Sequence, residues 1–312
     1  MQRAPYRGRL APSPTGLLHI GHACTFWTAY RRAVEHGGTL IFRNEDLDPQ
    51  RSKPEFARAM MEDLEWLGIR WQEGPDIGGP FAPYEQSQRR EFYLAAWREL
   101  RDGGFNYPCN CSRKDLALSA AAPNESEDEP LYPGRCREKA AAASQYEAPE
   151  GVNWRFRVPD GEMVAFDDLH QGPQRFVAGK DFGDFVIWRH DDVPAYQLAV
   201  VADDAAMAIT EVVRGADLLK STARQLLLRA RSGYRFLPTT IAICCATNRA
   251  FAWPSGTMPS ACARCASKVI RHSRYWIGAH SGKTDIGSPL GSVVATRKCR
   301  INCNETLSPL IV

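Results

Sequence analysis

The residues with the densest chemistry lie in one run, Arg9-Leu10-Ala11-Pro12-Ser13-Pro14-Thr15-Gly16-Leu17-Leu18-His19-Ile20-Gly21-His22-Ala23. Two imidazoles three residues apart share one face of a helix. A helix N-terminus offers free N–H groups and the positive end of a dipole, which attract phosphate, and imidazoles beside it can hydrogen-bond charge that develops there. Pro12 and Pro14 fix φ and push Ala11 and Ser13 away from the helical region, so the chain arrives extended. It is expected to turn at Thr15-Gly16, where a missing Cβ costs least, and to enter a helix near Leu18 whose first turn carries His19 and His22. Gly21 between them leaves room for a ligand at the backbone. His19, Gly21 and His22 are therefore the candidate catalytic residues for triphosphate chemistry. A bare H-x-x-H carries little information; the whole string is far more specific.

The elements that must hold this run follow it in order. Thr39-Leu40-Ile41-Phe42-Arg43 reads as a short buried strand whose carboxyl end delivers Glu45 and Asp46, the edge where ligands sit in open α/β sheets. Phe56, Met60, Leu64 and Leu67 have helical spacing over 54–67, ended by Gly68, and a second helix is expected over 85–100, closed by Gly103 and Gly104. Strand and helix in alternation argue for a parallel, doubly wound α/β sheet. Residues 152–201 change rhythm, with β-prone runs at 154–158, 162–167, 185–189 and 195–201 that read as a mixed-sheet subdomain over the active edge. Residues 210–213 read as a last buried strand and 216–228 as a helix. The domain reading is thus 1–104 for the first half of a nucleotide-binding catalytic domain, 105–150 for an inserted segment, 151–231 for the mixed-sheet subdomain with the second catalytic half, and 232–312 for a tail.

The inserted segment carries Cys109, Cys111 and Cys136. Two thiolates two apart and a third after a loop suit a structural zinc site, which wants four soft or borderline ligands. No histidine lies between 107 and 140, so the fourth ligand is left to Tyr132 or a carboxylate. The 312 residues, 44% hydrophobic and 24% charged, allow one large domain or two modest ones. A net charge of +3 is too mild for global attraction to nucleic acid, so any such partner needs a local basic patch. No apolar run is long enough for a bilayer and no secretion signal opens the chain, so no membrane partner and a cytoplasmic location are expected.

The string from Ala11 to His22 resembles the first signature of class I aminoacyl-tRNA synthetases of the glutamyl branch. Asn44-Glu45-Asp46-Leu47-Asp48-Pro49-Gln50-Arg51, the run from Tyr196 to Asp204 and the run from Thr210 to Leu218 are similar to that branch in the same order, over roughly residues 5–230. The resemblance implies a Rossmann-like catalytic domain with an inserted zinc knuckle, ATP as substrate with Mg2+, and a bound Zn2+. It implies that glutamate is held by Arg9, by Ser13 with Leu10, Ala11 and Pro12 as cradle, by Glu45 on the ammonium, by the Tyr196 hydroxyl and by Arg214. It also points to Tyr132 as fourth zinc ligand. The cysteine insert and the absence of room for a helical anticodon-binding region resemble the glutamyl-queuosine tRNA-Asp synthetases. Those transfer activated glutamate to the queuosine base of tRNA-Asp, here by an expected monomer. A truncated glutamyl-tRNA synthetase and an inactive nucleotide- or tRNA-binding paralogue are the other readings.

From about Ser232 both the resemblance and the periodicity stop. Residues 239–256 show no helix or strand period, Cys262-Ala263-Arg264-Cys265 has no matching second pair, and the family's lysine-bearing second signature is missing. Permitted G/C-rich codons for Ile243 through Ala266, read in the neighbouring frame, yield D-L-L-R-D-E-Q-G-V-R-L-A-K-R-H-D-A-L-S-L-R-A-L-R. That string has a charged, leucine-periodic pattern and contains the missing type of lysine motif. The tail is therefore read as having left its ancestral frame near residues 229–232 and as not selected to fold. Resequencing codons 225–240 is expected to reveal one or two lost or gained bases, and restoring them should raise glutamate-dependent pyrophosphate exchange from near zero. Brisk exchange by the 312-residue chain as written would contradict this.

Overall fold

A computed structural model describes residues 5–111, 131–232 and 240–245. The expected unfolded state of the tail beyond 245, the 262–265 cysteine pair and the acidic stretch near 125–129 lie outside the described residues.

The catalytic half is built on parallel strands. β1 (Arg7–Leu10) pairs with β2 (Thr39–Phe42), with Arg9 opposite Ile41 and Leu10 opposite Phe42. The connection is α1 (Ile20–Glu35), followed after β2 by α2 (Pro54–Trp66). Gly68 ends α2 at φ +85, a backbone state that favours glycine. On the other side of β1 lies β8 (Glu211–Gly215), which meets it at Thr210: the Thr210 N–H donates to the Arg7 carbonyl at 2.9 Å, and the Arg7 N–H to Thr210 Oγ1 at 2.8 Å. A further strand, β9 (Thr240–Cys245), runs parallel to β8 with Glu211 opposite Thr240. The chain therefore leaves β1 for β2 on one side and finds β8 on the other, the kind of switch point at which α/β sheets bind ligands.

Side chains alternate across these strands as period two requires. Leu10, Leu40, Phe42 and Val213 pack with Phe26, Ala29, Met60 and Leu64 under α1 and α2, while Ile41 and Val212 pack with Tyr84, Met207 and Ile209 on the opposite face. Arg9 and Arg43 thereby fall on the second face.

A second body is antiparallel. β3 (Asn106–Cys109), β4 (Asn153–Phe156) and β7 (Phe185–Trp188) form one sheet in that order, and β5 (Met163–Asp168) with β6 (Gly172–Val177) form a hairpin. The sheet expected to be mixed is thus antiparallel among the described residues, and β3, from the inserted segment, is bound to β4 across residue 150. Trp97 of α3 (Arg90–Asp102) meets Trp154 edge-on at 4.8 Å at the centre of this core.

The structure corrects four further expectations. Residues 195–201 are not a strand; α4 (Tyr196–Ala206) covers them. Leu198 through Asp203 are all buried, so α4 shows no polar face, and a short apolar run cannot be assigned by period alone. β6 escaped because its Gly172-Pro173-Gln174-Arg175 reads as a turn on an exposed hairpin. β9 lies inside the segment assigned to the tail, so regular structure extends to residue 245. It escaped because Thr240–Cys245 shows no alternation, which a strand in a parallel sheet need not have. The expected helices over 85–100 and 216–228 begin with 3-10 turns at Gln86–Gln88 and Ala216–Leu218, so that α3 and α5 (Leu219–Arg231) start later.

Asp203, fully buried on α4, ties these pieces together. Its carboxylate accepts from Arg89 Nε at 2.6 Å, Gln86 Nε2 at 2.7 Å and the Tyr93 hydroxyl at 2.9 Å, with Arg43 Nε 3.8 Å away. Desolvation, then the charge and hydrogen bond of Asp203, push the Tyr93 pKa far up, which keeps it a donor. Asp203→Ala leaves two buried guanidinium groups short of a counter-charge and is expected to cost about 3–5 kcal/mol in denaturant unfolding. A loss below about 1 kcal/mol would show that the network carries no such load.

Candidate active site at the carboxyl edge of the parallel strands

His19 is the N-cap of α1, and the helix begins at Ile20, two residues later than the spacing predicts. Its Nδ1 accepts the Gly21 N–H at 3.1 Å, while His22 Nδ1 accepts the His19 N–H at 3.4 Å, a reciprocal capping box. Two of the N–H groups expected to face phosphate are therefore satisfied by the imidazoles. With both Nδ1 atoms accepting, the tautomers assigned by these bonds carry their hydrogen on Nε2, ready to donate outward. The rings stack with centroids 3.7 Å apart. A Cβ on Gly21 would sit 2.9 Å from Cε1 of the exposed His19 ring, so a side chain there would push that ring from its capping position. A Cβ on Gly16 would meet nothing within 4 Å, and its φ is not positive, so the turn does not demand glycine there.

The approach strand is clamped by its neighbour. The carbonyls of Leu10, Pro12 and Pro14 accept from the N–H groups of Arg43 (2.8 Å), Glu45 (3.0 Å) and Lys53 (3.0 Å), which leaves Ala11 half-buried and the Ser13 side chain exposed at the rim. Arg9 is buried; its Nη1 donates to the Val213 carbonyl at 3.0 Å and its Nε faces Asp204 Oδ1 at 3.5 Å. Glu45 is buried with Oε1 accepting from Arg43 Nη2 at 2.9 Å. Burial raises the Glu45 pKa, against the pull of Arg43 and Arg9.

Tyr196, on the first turn of α4, has an exposed ring and a hydroxyl set among Glu45, Arg214, Arg9 and Asp204, where desolvation raises its pKa. Arg214 on β8 is buried, donates from Nη1 to Gln225 Oε1 at 2.7 Å and from Nη2 to Thr222 Oγ1, and shares a hydrogen bond with Tyr196. Desolvation lowers its pKa. All of Arg9, Glu45, Tyr196 and Arg214 thus converge at one edge, with His19 and His22 at the start of the helix that leaves β1.

Cys109, Cys111 and Cys136 also converge, with their Sγ atoms all within 4.8 Å of one another. Cys111 and Cys136 are 3.6 Å apart, and the Tyr132 hydroxyl lies 3.5 Å from Cys109 Sγ and 3.6 Å from Cys111 Sγ. Thiolates bound at about 2.3 Å around a tetrahedral zinc lie about 3.7 Å apart, so the soft donor set and its spacing fit that ion. Arg137 beside the cluster is held by Asp184 and Asp160.

Residues 6–247 match the family model for the catalytic domain of class I tRNA synthetases (E and Q). The chain belongs to this family. The match reaches past residue 230, where the resemblance seen in the sequence alone ends, and takes in β9. Over 229 residues the chain is 48% identical to the Glutamyl-Q tRNA(Asp) synthetase of Nitratidesulfovibrio vulgaris, covering 73% of this chain and 70% of that one. Over 224 residues it is 49% identical to the protein of the same name from Symbiobacterium thermophilum, covering 71% and 69%. Among solved structures it is similar to the glutamate-tRNA synthetase of Elizabethkingia anophelis, with a TM-score of 0.68 and 30% identity. The similarity covers 78% of this chain and about half, 50%, of that one.

In this class I synthetase domain, sequence reasoning missed Arg43, Asp204 and Gln225. Arg43, fully buried, donates to Glu45 and, from Nη1, to Asp204 Oδ1 at 2.7 Å. Burial opposes its charge, but Asp204, Glu45 and Asp203 outweigh it and raise its pKa well above the ordinary value. For Asp204 burial acts to raise the pKa, and Arg43 and Arg9 more than offset it. The signal in the sequence was an arginine directly after an apolar strand and a pair of acids inside an apolar helix.

His22, although its outer edge is exposed, has its pKa pushed down to about 4 by desolvation and then by His19. The folded value is below the ordinary histidine value of about 6.5, so the unfolded chain binds more protons between the two and stability falls as pH drops through that window. At neutral pH His22 acts through hydrogen bonds and not through charge. An imidazole proton titration should place the His22 midpoint near 4; a midpoint in the ordinary range near 6.5 would remove this conclusion.

Proposed function

We propose that this catalytic domain, with its ancestral reading frame restored beyond residue 232, activates glutamate with ATP and transfers it to the queuosine base of tRNA-Asp, as a cytoplasmic monomer. The observation that carries the reading is the convergence of Arg9, Arg214, Glu45 and Tyr196 beside the His19–His22 helix start. Arg9, Arg43 and Arg214 against Glu45 and Asp204 leave one uncompensated positive charge, which matches a substrate with two carboxylates and one ammonium. Relatives named Glutamyl-Q tRNA(Asp) synthetase, at 48% and 49% identity, supply the choice of acceptor.

In this mechanism guanidinium groups receive the substrate carboxylates and Glu45 receives the ammonium, with the Tyr196 hydroxyl fixing orientation. A carboxylate oxygen attacks the α-phosphorus of ATP, a new P–O bond forms, and pyrophosphate departs with the bonding pair. The exposed Nε2–H groups of His19 and His22 donate to the oxygens on which that charge grows. Ser13 with Leu10, Ala11 and Pro12 forms the cradle in which glutamate lies, and Mg2+ carried in with ATP would further neutralise the phosphates. The activated acyl group then passes to the base, releasing AMP. Cys109, Cys111, Cys136 and Tyr132 would hold a Zn2+, which would cross-link the inserted segment.

Labelled glutamate, ATP, Mg2+ and tRNA-Asp with and without queuosine test the reading, using both the chain as written and its frame-restored form, with metal analysis of the same samples. Queuosine-dependent label and about one zinc per chain are expected. Label only on tRNA-Glu would move the assignment to glutamyl-tRNA synthetase, and far less than one zinc would end the metal assignment. Arg214→Ala should weaken glutamate binding by about 2–4 kcal/mol, or roughly 30- to 700-fold, the range for stranding a charged partner.

A further inference from the structure

The run Tyr196–Asp204 carries two adjacent acids that the reaction above does not use. Asp203 points into the core, where Arg89, Gln86 and Tyr93 hold it. Asp204 faces the site instead. Its Oδ1 accepts from Arg43 Nη1 at 2.7 Å and lies 3.5 Å from Arg9 Nε. Arg43 in turn holds Glu45 at 2.9 Å. One carboxylate oxygen thus joins Arg9 to Glu45 through a single guanidinium that is 0% exposed.

Arg9 has little else to fix it. Its buried Nε makes no hydrogen bond, and besides the charges of Asp204 and Glu45 its guanidinium is anchored at the Val213 carbonyl. Arg43 cannot yield, because Asp203 and the core network close its other side. With Asp204 in place, the attraction it exerts on both guanidinium groups offsets their mutual repulsion, which is strong in a site shielded from water.

We propose that Asp204, through Arg43, is a positioning residue that locks Arg9 and Glu45 into one unit, so that the site recognises the adjacent carboxylate and ammonium of an amino acid together. The inference rests on the glutamate reading above. Removing the charge of Asp204 frees Arg9 to move from Arg43 and leaves Glu45 as the chief counter-ion of Arg43, so less of its charge is available to an ammonium. Glutamate then binds more weakly, while a dicarboxylate without an ammonium gains from the more positive site.

The test is calorimetric titration of the full chain with glutamate, with glutarate, which lacks the ammonium, and with ATP. Wild type should prefer glutamate. Asp204→Asn should cut the glutamate-to-glutarate affinity ratio at least tenfold with ATP affinity changed less than twofold, an outcome that simple loss of folded protein does not produce. Arg43→Lys keeps a cation but cannot span both acids, and should lower the ratio in the same direction if Asp204→Asn fails to fold. An unchanged ratio in a folded variant of either kind overturns the inference and leaves the glutamate reading intact. Wild type that binds neither dicarboxylate overturns the glutamate reading itself.

Discussion

A guanidinium with no access to water must be surrounded by carboxylates, and Arg43 imposes that condition on everything near it. It stands one residue past β2, and its partners come from the next turn of chain (Glu45) and from α4 (Asp203 and Asp204). To supply them α4 must lie against the face of the parallel strands opposite α1. Asp203 then draws in Arg89 and Tyr93, which places α3 on α4. Such a cluster is a poor source of net stability, since the cost of removing charge from water offsets much of its attraction. Its consequence is geometric: the elements that carry these acids are held where their carboxylates reach Arg43.

The antiparallel body has its own counterpart in Asp184. That buried carboxylate accepts from the Val158 N–H at 2.9 Å, from Arg137 Nε at 2.7 Å and from the Tyr107 hydroxyl. Arg155, which donates to the Asp184 carbonyl at 3.0 Å, also donates to Cys109 Sγ at 3.3 Å and lies over the Tyr132 ring at 3.9 Å. The cysteine cluster is therefore built into the sheet's framework at β3, and its positioning does not depend on the loop alone. The two bodies meet where α3 and α4 pack on the tryptophan-rich core, and Arg189 reaches from the end of β7 to Asp48 at 3.0 Å, beside the strand edge that holds Glu45.

What the sequence determined by itself was local. Gly68 and Gly104 close helices because their positive φ is cheap without a Cβ, and Pro54 starts α2 because its fixed φ and missing N–H suit a first turn. The strand Thr39–Phe42 was legible as an apolar run, and the site residues were legible because a contiguous string of unusual composition marks a resemblance to a known family. Tertiary structure alone decided whether 195–201 was strand or helix, since burial on all sides erases the period that separates the two. It also decided that β9 joins β8 and that the imidazoles of α1 cap their own helix. Most of all it decided the partners of Arg43. Residues 43, 45, 203 and 204 come from two distant parts of the chain, and charge desolvation acts through space, so a sequence shows which ionisable groups exist but not which of them must share a buried site.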